Sequence, residues 1–298
     1  MSTPIGPRRE HPSTYMVQDR SNQEELLRLQ VQDGMVTSGM SGVLPEQSDP
    51  TRFQRILDVG CGTGAWLIEA AKAYPSMSLL VGVDVSERML DYARAQAEGQ
   101  QVSERVQFRT MDALRMLEFP TGYFDLVNQR LGWSYLRTWD WPKLLQEFQR
   151  VARPTGVIRF TEFDIIQSTS PALTGLCELT LEAFYKAGHF FHLQKNGVTS
   201  ELVHLLQKSG IQQVQTRTCP LEYRAGSVEG QYFAEDLRHL FRTLLPFFHK
   251  WTRVPDNYEA MYQQVLHDMQ QPGFVATWNF VTAWGIKWGK AHRPLMPG

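Results

Sequence analysis

The chain has 298 residues, more than the ~100–200 of a usual domain, so it is one large domain or one domain with substantial insertions. Hydrophobic residues make up 42% and charged residues 20%, which excludes disorder for most of its length. Lys and Arg total 30 against 31 Asp and Glu, and without a basic excess a nucleic-acid partner gripped through its phosphates is excluded.

Residues 1–22, rich in Pro, Ser, Arg and Gln, read as an extended arm. Residues 21–31 carry helical spacing, with Ser21 as N-cap and Glu24 three residues on. Residues 34–49, punctuated by Gly, Ser and Pro, read as a loop. Strand and helix then alternate. Strands are expected at 55–59, 79–84, 106–110, 124–127 and 156–162, and helices at 65–73, 87–96 and 142–152. That rhythm predicts a parallel sheet covered by helices on both faces. After residue 165 it changes. Helices are expected at 170–188, 199–210, 227–251 and 258–271, with strands at 214–218 and 274–286. The last ten residues read as a tail.

Cys61, Cys177 and Cys219 are too few and too scattered for a disulfide framework or a metal site, and fit a reducing cytoplasm. The first ten residues lack the apolar stretch of a secretory signal, and no apolar run approaches the ~18 residues of a membrane span.

The strongest local signal is Ile56-Leu-Asp58-Val-Gly60-Cys61-Gly62-Thr63-Gly64-Ala65. Glycines between a strand and a helix let the main chain approach a ligand closely, at the carboxyl end of the strands. Gly60-x-Gly62-x-x-Ala65 formally matches a dinucleotide fingerprint, which keeps an NAD-dependent oxidoreductase open as an alternative.

Gly60-x-Gly62-x-Gly64 with Asp58 two residues before it resembles the first motif of class I S-adenosylmethionine (SAM) methyltransferases. Asp84, ending the second strand in Gly82-Val-Asp84-Val-Ser86, stands where that family has its ribose-binding acid. Asp112 follows the third strand in Thr110-Met111-Asp112-Ala113, where the family contacts adenine. The run from Leu145 to Gly156 resembles the family's helix and turn before strand five, with Thr155 in place of the usual Gly. The likeness spans about residues 52–216 and is nearest to the ubiquinone/menaquinone-type and secondary-metabolite small-molecule enzymes.

The resemblance implies a doubly wound, mostly parallel seven-stranded α/β sheet of Rossmann-like methyltransferase type. An N-terminal arm and helix (1–50) would precede the SAM-binding domain (51–288), with helical lid insertions near 165–198 and 226–272 and a tail at 289–298. SAM would be the cofactor and S-adenosylhomocysteine its product. Asp84 would take the ribose hydroxyls, Asp112 the adenine amino group and Asp58 the ammonium, directly or through water. Gly60, Cys61, Gly62 and Gly64 would lie along the methionine part, and Val85, Met89, Met111 and Ala113 around the nucleoside. Asn128, Gln129 and Arg130, expected just past the fourth strand, would face the sulfonium methyl. In such enzymes the N-terminal segment folds over the cofactor, which points to Tyr15, Arg20, Met35 and Thr37.

The acceptor side is read from position and chemistry. Glu162 at the end of the fifth strand, with His189 and His192 beyond it, are the candidate bases; Asp164 is a further acid nearby. The histidines lack an acid or Cys in register, so no metal is expected. Aromatic residues are plentiful (Trp 8, Tyr 10, Phe 16) and gather outside the minimal sheet. Trp133, Tyr135, Phe191 and Trp251 are the expected wall of an acceptor pocket, favouring a small lipophilic or aromatic molecule methylated at O, N or C. A SAM-binding cyclase-type or regulatory protein is the other alternative. No nucleic acid or membrane span is expected, and the arm offers a route to a homo-oligomer.

Overall fold

A computed structural model describes residues 15–17 and 23–289. The arm residues 1–14 and 18–22, including Arg20 and the Ser21 cap, and the tail residues 290–298 lie outside the described residues.

The first helix, α1 (Gln23–Gly39), runs eight residues further than the spacing predicts. Gly34 sits on its exposed face, while Glu25, Arg28, Gln32, Met35 and Val36 are buried. Packing of that face outweighs the ~1 kcal/mol helix penalty of one glycine. Helix α1 stops where Gly42, at φ +110°, donates its N–H to the Thr37 carbonyl.

Alternation then builds the sheet: β1 (Arg55–Val59), α2 (Ala65–Ala73), β2 (Leu79–Asp84), α3 (Glu87–Gly99), β3 (Val106–Thr110), β4 (Phe124–Arg130), α4 (Trp141–Val151) and β5 (Ala152–Phe163). Next come β6 (Gln167–Ser168), α5 (Pro171–Lys186), α6 (Leu202–Lys208), β7 (Gln212–Arg224), α7 (Val228–Thr243), α8 (Leu245–Trp251), α9 (Tyr258–Asp268) and β8 (Val275–Ile286). The helix expected over 227–251 is broken because Pro246 lacks an N–H and cannot continue α7. Thr155, where the resemblance has Gly, takes φ +65°.

The sheet runs β3-β2-β1-β4-β5-β8-β6, with β7 also on β8. Strands β1 to β5 are parallel, and β8 is antiparallel to β5, β6 and β7. The seven expected strands are therefore joined by one more, the two-residue β6. Along β1, Ile56 turns to the face covered by α2 and α3, while Leu57 and Val59 turn to the face covered by α4 and the later helices. Strand order reverses at β1, between β2 and β4, so the carboxyl ends of β1 and β4 part to leave a crevice. Among the described residues no helix is long and apolar enough to cross a membrane.

Strand β4 is three residues longer than expected, because its register with β1 and β5 continues: Asp58 faces Asn128, and Arg130 faces Thr161. Asn128 and Gln129 are thus interior strand residues, not a loop at the crevice. Asn128 joins a buried chain of polar groups. Its Nδ2 donates to Asp58 Oδ1 at 2.7 Å, and its Oδ1 accepts from Arg159 at 2.7 Å. Arg159 in turn pairs with Glu46 at 2.8 Å, both side chains 1% exposed. Burial raises the Glu46 carboxyl, and the Arg159 guanidinium overrides it, leaving the group below its usual range.

Glu162 has a parallel task. It is 0% exposed and accepts the backbone N–H groups of Gly132 (2.8 Å) and Trp133 (3.3 Å), with Gln129 Nε2 at 3.3 Å. It thereby clamps the turn after β4, where a Cβ on Gly132 would lie 1.6 Å from Gln129 Nε2. Burial pushes the Glu162 carboxyl up to about 8, although those N–H donors favour the ionised form.

Arg159→Ala is expected to destabilise the fold by about 3–5 kcal/mol in urea unfolding, because it strands a buried Glu46 carboxylate. Glu162→Ala leaves the Gly132 and Trp133 N–H groups unpartnered and is expected to cost about 1–3 kcal/mol. Glu162→Gln mimics the protonated acid and should be far milder. Between about pH 4.5 and 8 the unfolded Glu162 ionises while the folded one keeps its proton, so this group's contribution to stability is lost as pH rises. The Gln variant should therefore gain on the wild type between pH 5 and 8; a constant difference in urea midpoints would remove that account.

Candidate active site

Carboxyl groups converge where β1, β2 and β3 end. Asp58 is the last residue but one of β1, Asp84 closes β2 and Asp112 lies just past β3, and all three line one cavity with Gly60 and Gly62. The glycine turn is held open by geometry. Gly60 has φ +70°, and a Cβ there would lie 2.6 Å from the Tyr135 hydroxyl. Its N–H and that of Cys61 both donate to the Val83 carbonyl, fixing the turn to β2. Gly64, also at φ +70°, starts α2 and does not reach the cavity.

Asp84 is oriented by the N–H groups of Gly62 (3.0 Å) and Ser86 (2.9 Å), one on each carboxylate oxygen. Those bonds fix the carboxylate at the cavity wall. Asp112 accepts from the Leu114 N–H at 2.9 Å. Asp58 is buried and pushed up to about 7, with Arg130 and the Asn128 amide opposing the effect of burial. Cys61 lines the cavity, but burial raises its thiol well above the usual range, which leaves it a small apolar contact.

Val85, Met89, Met111, Ala113 and Arg130 also line the cavity. Asn128 and Gln129 do not. They act behind it, through Asp58 and Glu162 respectively. The three candidate bases are corrected as a group. Glu162 is consumed by the clamp on the β4 turn and does not face the cavity. His189 is 1% exposed, bonds the Trp133 carbonyl through Nδ1 at 2.8 Å and packs against Phe184 and Phe247. Burial lowers it to about 4, so it stays neutral. His192 lies outside any helix, its side chain 49% exposed, and pairs with Glu201 at 2.9 Å.

The aromatic wall is present with other members than expected. Trp133 and Tyr135 line the cavity; Phe191 and Trp251 do not. Trp251 packs on Phe247 in α8 instead. The wall is completed by Phe163 at the end of β5, Leu240 and Phe241 of α7, and Trp278 of β8. Phe163 stands edge-on between Trp133 (4.9 Å) and Trp278 (4.5 Å).

Of the N-terminal residues expected over the cofactor, Tyr15 lines the cavity and Met35 and Thr37 do not; the α1 residues that sequence reasoning missed are Glu25, Arg28, Gln32 and Asp33. Asp33 ion-pairs with Arg130 and, with Glu25, Arg28 and Gln32, closes the cavity opposite the sheet. The available signal was the spacing of Glu25, Arg28 and Gln32, which places three polar side chains on one helix stripe. Only packing against α7 shows that this stripe is the buried one. Among the described residues no group of three or more His, Cys, Asp or Glu side chains could hold a metal ion.

Residues 56–156 match the methyltransferase domain family. A demethylmenaquinone methyltransferase of Symbiobacterium thermophilum is 28% identical over 188 residues, 63% of this chain and 66% of that protein. One from Lactobacillus johnsonii is 30% identical over 130 residues, 44% of this chain and 50% of its own length. The chain thus spans about half to two thirds of these relatives. The 27-O-demethylrifamycin SV methyltransferase of Amycolatopsis mediterranei is 24% identical over 245 residues, 81% of this chain and 74% of the relative. Among solved structures, the YcgJ protein of Bacillus subtilis aligns with a TM-score of 0.53 at 18% identity, over 85% of this chain and 99% of that one. Phosphoethanolamine N-methyltransferase 2 of Haemonchus contortus aligns at 0.55 and 18%, over 92% of this chain and 60% of that one. Residues 56–156 match a methyltransferase domain, and the chain shares its Rossmann-like fold with methyltransferases of known structure.

Proposed function

We propose that this chain binds SAM and transfers its methyl group to a small, uncharged, lipophilic acceptor. The carrying observation is the convergence of Asp58, Asp84 and Asp112 with the Gly60–Gly62 main chain on a single cavity. A dinucleotide site needs a cradle for its pyrophosphate, whereas five carboxyl side chains and two guanidiniums line this cavity. Excess carboxylate suits a cofactor with an ammonium and a sulfonium.

In this reading Asp84 holds the ribose hydroxyls, Asp112 the adenine amino group and Asp58 the ammonium. Bound SAM supplies the activated methyl group; the protein aligns the acceptor and keeps out water. The wall from Trp133 to Trp278 offers the apolar surface that a lipophilic acceptor requires. The relatives named for a demethylmenaquinone and a demethylrifamycin support a multi-ring acceptor of secondary or quinone metabolism. Three free cysteines fit a reducing cytoplasm. The segment at Tyr15–Val17 serves this chain's own cavity, since the Met16 N–H donates to the Ser134 carbonyl. Pairing of two copies through residues 1–14 would add to that role and would register as a dimer in sedimentation.

Asp84→Ala is expected to weaken SAM binding at least tenfold in calorimetric titration, given ~1.5–3 kcal/mol for each hydrogen bond to a charged group. Equal affinity in the variant, or tighter binding of NAD than of SAM, would sink the assignment. Because burial holds Asp58 near 7, an arriving cation must draw off its proton. SAM affinity should therefore rise between pH 6 and 8 with proton release to buffer, and Asp58→Asn should flatten that dependence.

A further inference from the structure

A groove runs between α1, α2 and α3, outside the main cavity. Gln30, Ser38, Gln96 and Gln100 line it, and no Lys or Arg among the described residues does. Asp33 and Thr63 line this groove and the cavity alike, so a single layer of side chains stands between the two. Three side-chain contacts hold that layer shut. Arg130 pairs with Asp33 and donates through its other terminal nitrogen to Thr37 Oγ1 at 3.2 Å. The Thr63 hydroxyl donates to Asp33 at 3.3 Å.

The two sides of α1 are fastened unequally. Toward α7, Arg28 and Asp236 pair at 3.1 Å with side chains 1% and 0% exposed. Toward the glycine turn, Arg130 and Asp33 are 10% and 18% exposed. Water reaches this second pair, screens it and offers each partner another hydrogen bond when they part. The sealed pair has no such alternative, because separating it strands two buried charges. Helix α1 is therefore footed on α7 and only latched toward α2. Beyond α1, Trp66 Nε1 donates to the Val43 carbonyl at 3.0 Å and fixes the chain's return to the sheet. The latch adjoins the polar half of the cavity, where Asp58, Gly60 and Gly62 gather. The other half is walled by packed aromatic rings.

We propose that this groove is the port through which SAM enters and S-adenosylhomocysteine leaves, with the Asp33–Arg130 pair as its latch. This rests on the reading of the cavity as a SAM site. When the pair separates, α1 tilts on its α7 footing, the wall at Asp33 and Thr63 parts, and groove and cavity become one space. The positive charges of arriving SAM compete with Arg130 for Asp33, which favours the open latch as the cofactor passes. Amides and hydroxyls along the groove replace part of the ligand's water on the way. Closing restores the pair and shuts out water before methyl transfer. A port acts in both directions, so whatever narrows it slows entry and exit by one factor and leaves the affinity alone.

Gly34 provides the test, since it lies on the groove and no atom stands within 4 Å of where its Cβ would be. Association and dissociation of S-adenosylhomocysteine by the full chain are followed by tryptophan fluorescence in stopped flow. Gly34→Phe should slow both rates about tenfold with Kd unchanged, the mark of a narrowed path. The unchanged Kd also certifies a folded variant. Gly34→Ala adds helix propensity without filling the groove and should leave both rates as they are. Thr37→Val removes one latch bond and no charge, and should speed both rates about fivefold, the increment of one part-exposed hydrogen bond. Wild-type rates in Gly34→Phe overturn the port, and so does a weaker Kd with association intact, which marks lost contacts. Wild-type rates in Thr37→Val overturn the latch. Failure of the wild type to bind S-adenosylhomocysteine at all is a different result, which sinks the reading of the cavity itself.

Discussion

A carboxyl group buried at the end of the first strand sets the terms for everything around it. Asp58 lies at the point where the sheet opens, and left alone it would be a costly charge in a low-dielectric interior. The fold meets that cost from behind with Asn128, Arg159 and Glu46, drawn from β4, β5 and the segment before β1. The chain of contacts ties three separate stretches to one atom of the cavity. Burial outweighs those contacts and leaves Asp58 about half-protonated near pH 7, where the arrival of a cation can move its proton. The bonds that hold these strands together thus also help set the charge at the cavity.

A second buried carboxyl does the corresponding work for the turn after β4. Glu162 holds the turn that carries Trp133, Ser134 and Tyr135, and it does so through main-chain N–H groups. A residue in that position has its oxygens committed before any ligand arrives. Placing a general base there mistakes an anchoring group for a reacting one. Polar groups of α1 and of the segment before it, outside the sheet altogether, also line the cavity.

The covering layer explains the uneven chemistry of the cavity. Toward the strand ends it meets aspartates and glycine main chain; toward α7 and β8 it meets Phe163, Phe241 and Trp278. One cavity thereby suits a charged cofactor at one end and an apolar partner at the other. The ion pair between Asp33 and Arg130 and the cluster around Arg28 fasten α1 across this boundary.

Local pattern alone determined the alternating elements, the glycine turn and the strand-end aspartates, because each is written within a few consecutive residues and a strand-to-helix turn projects them predictably. It also determined that aromatic side chains would wall the cavity, through Trp133 and Tyr135. What it left undecided depends on long-range pairing. Continuation of β4 into Asn128 and Gln129 rests on register with two neighbouring strands. The choice of Trp278 over Trp251 rests on how α8 and β8 pack. The burial of Glu25, Arg28 and Asp236 brings together residues some two hundred positions apart, and no local spacing encodes that meeting. Tertiary structure alone decided which acids face the cavity and which hold the scaffold, because that is settled by what surrounds each carboxyl group in space.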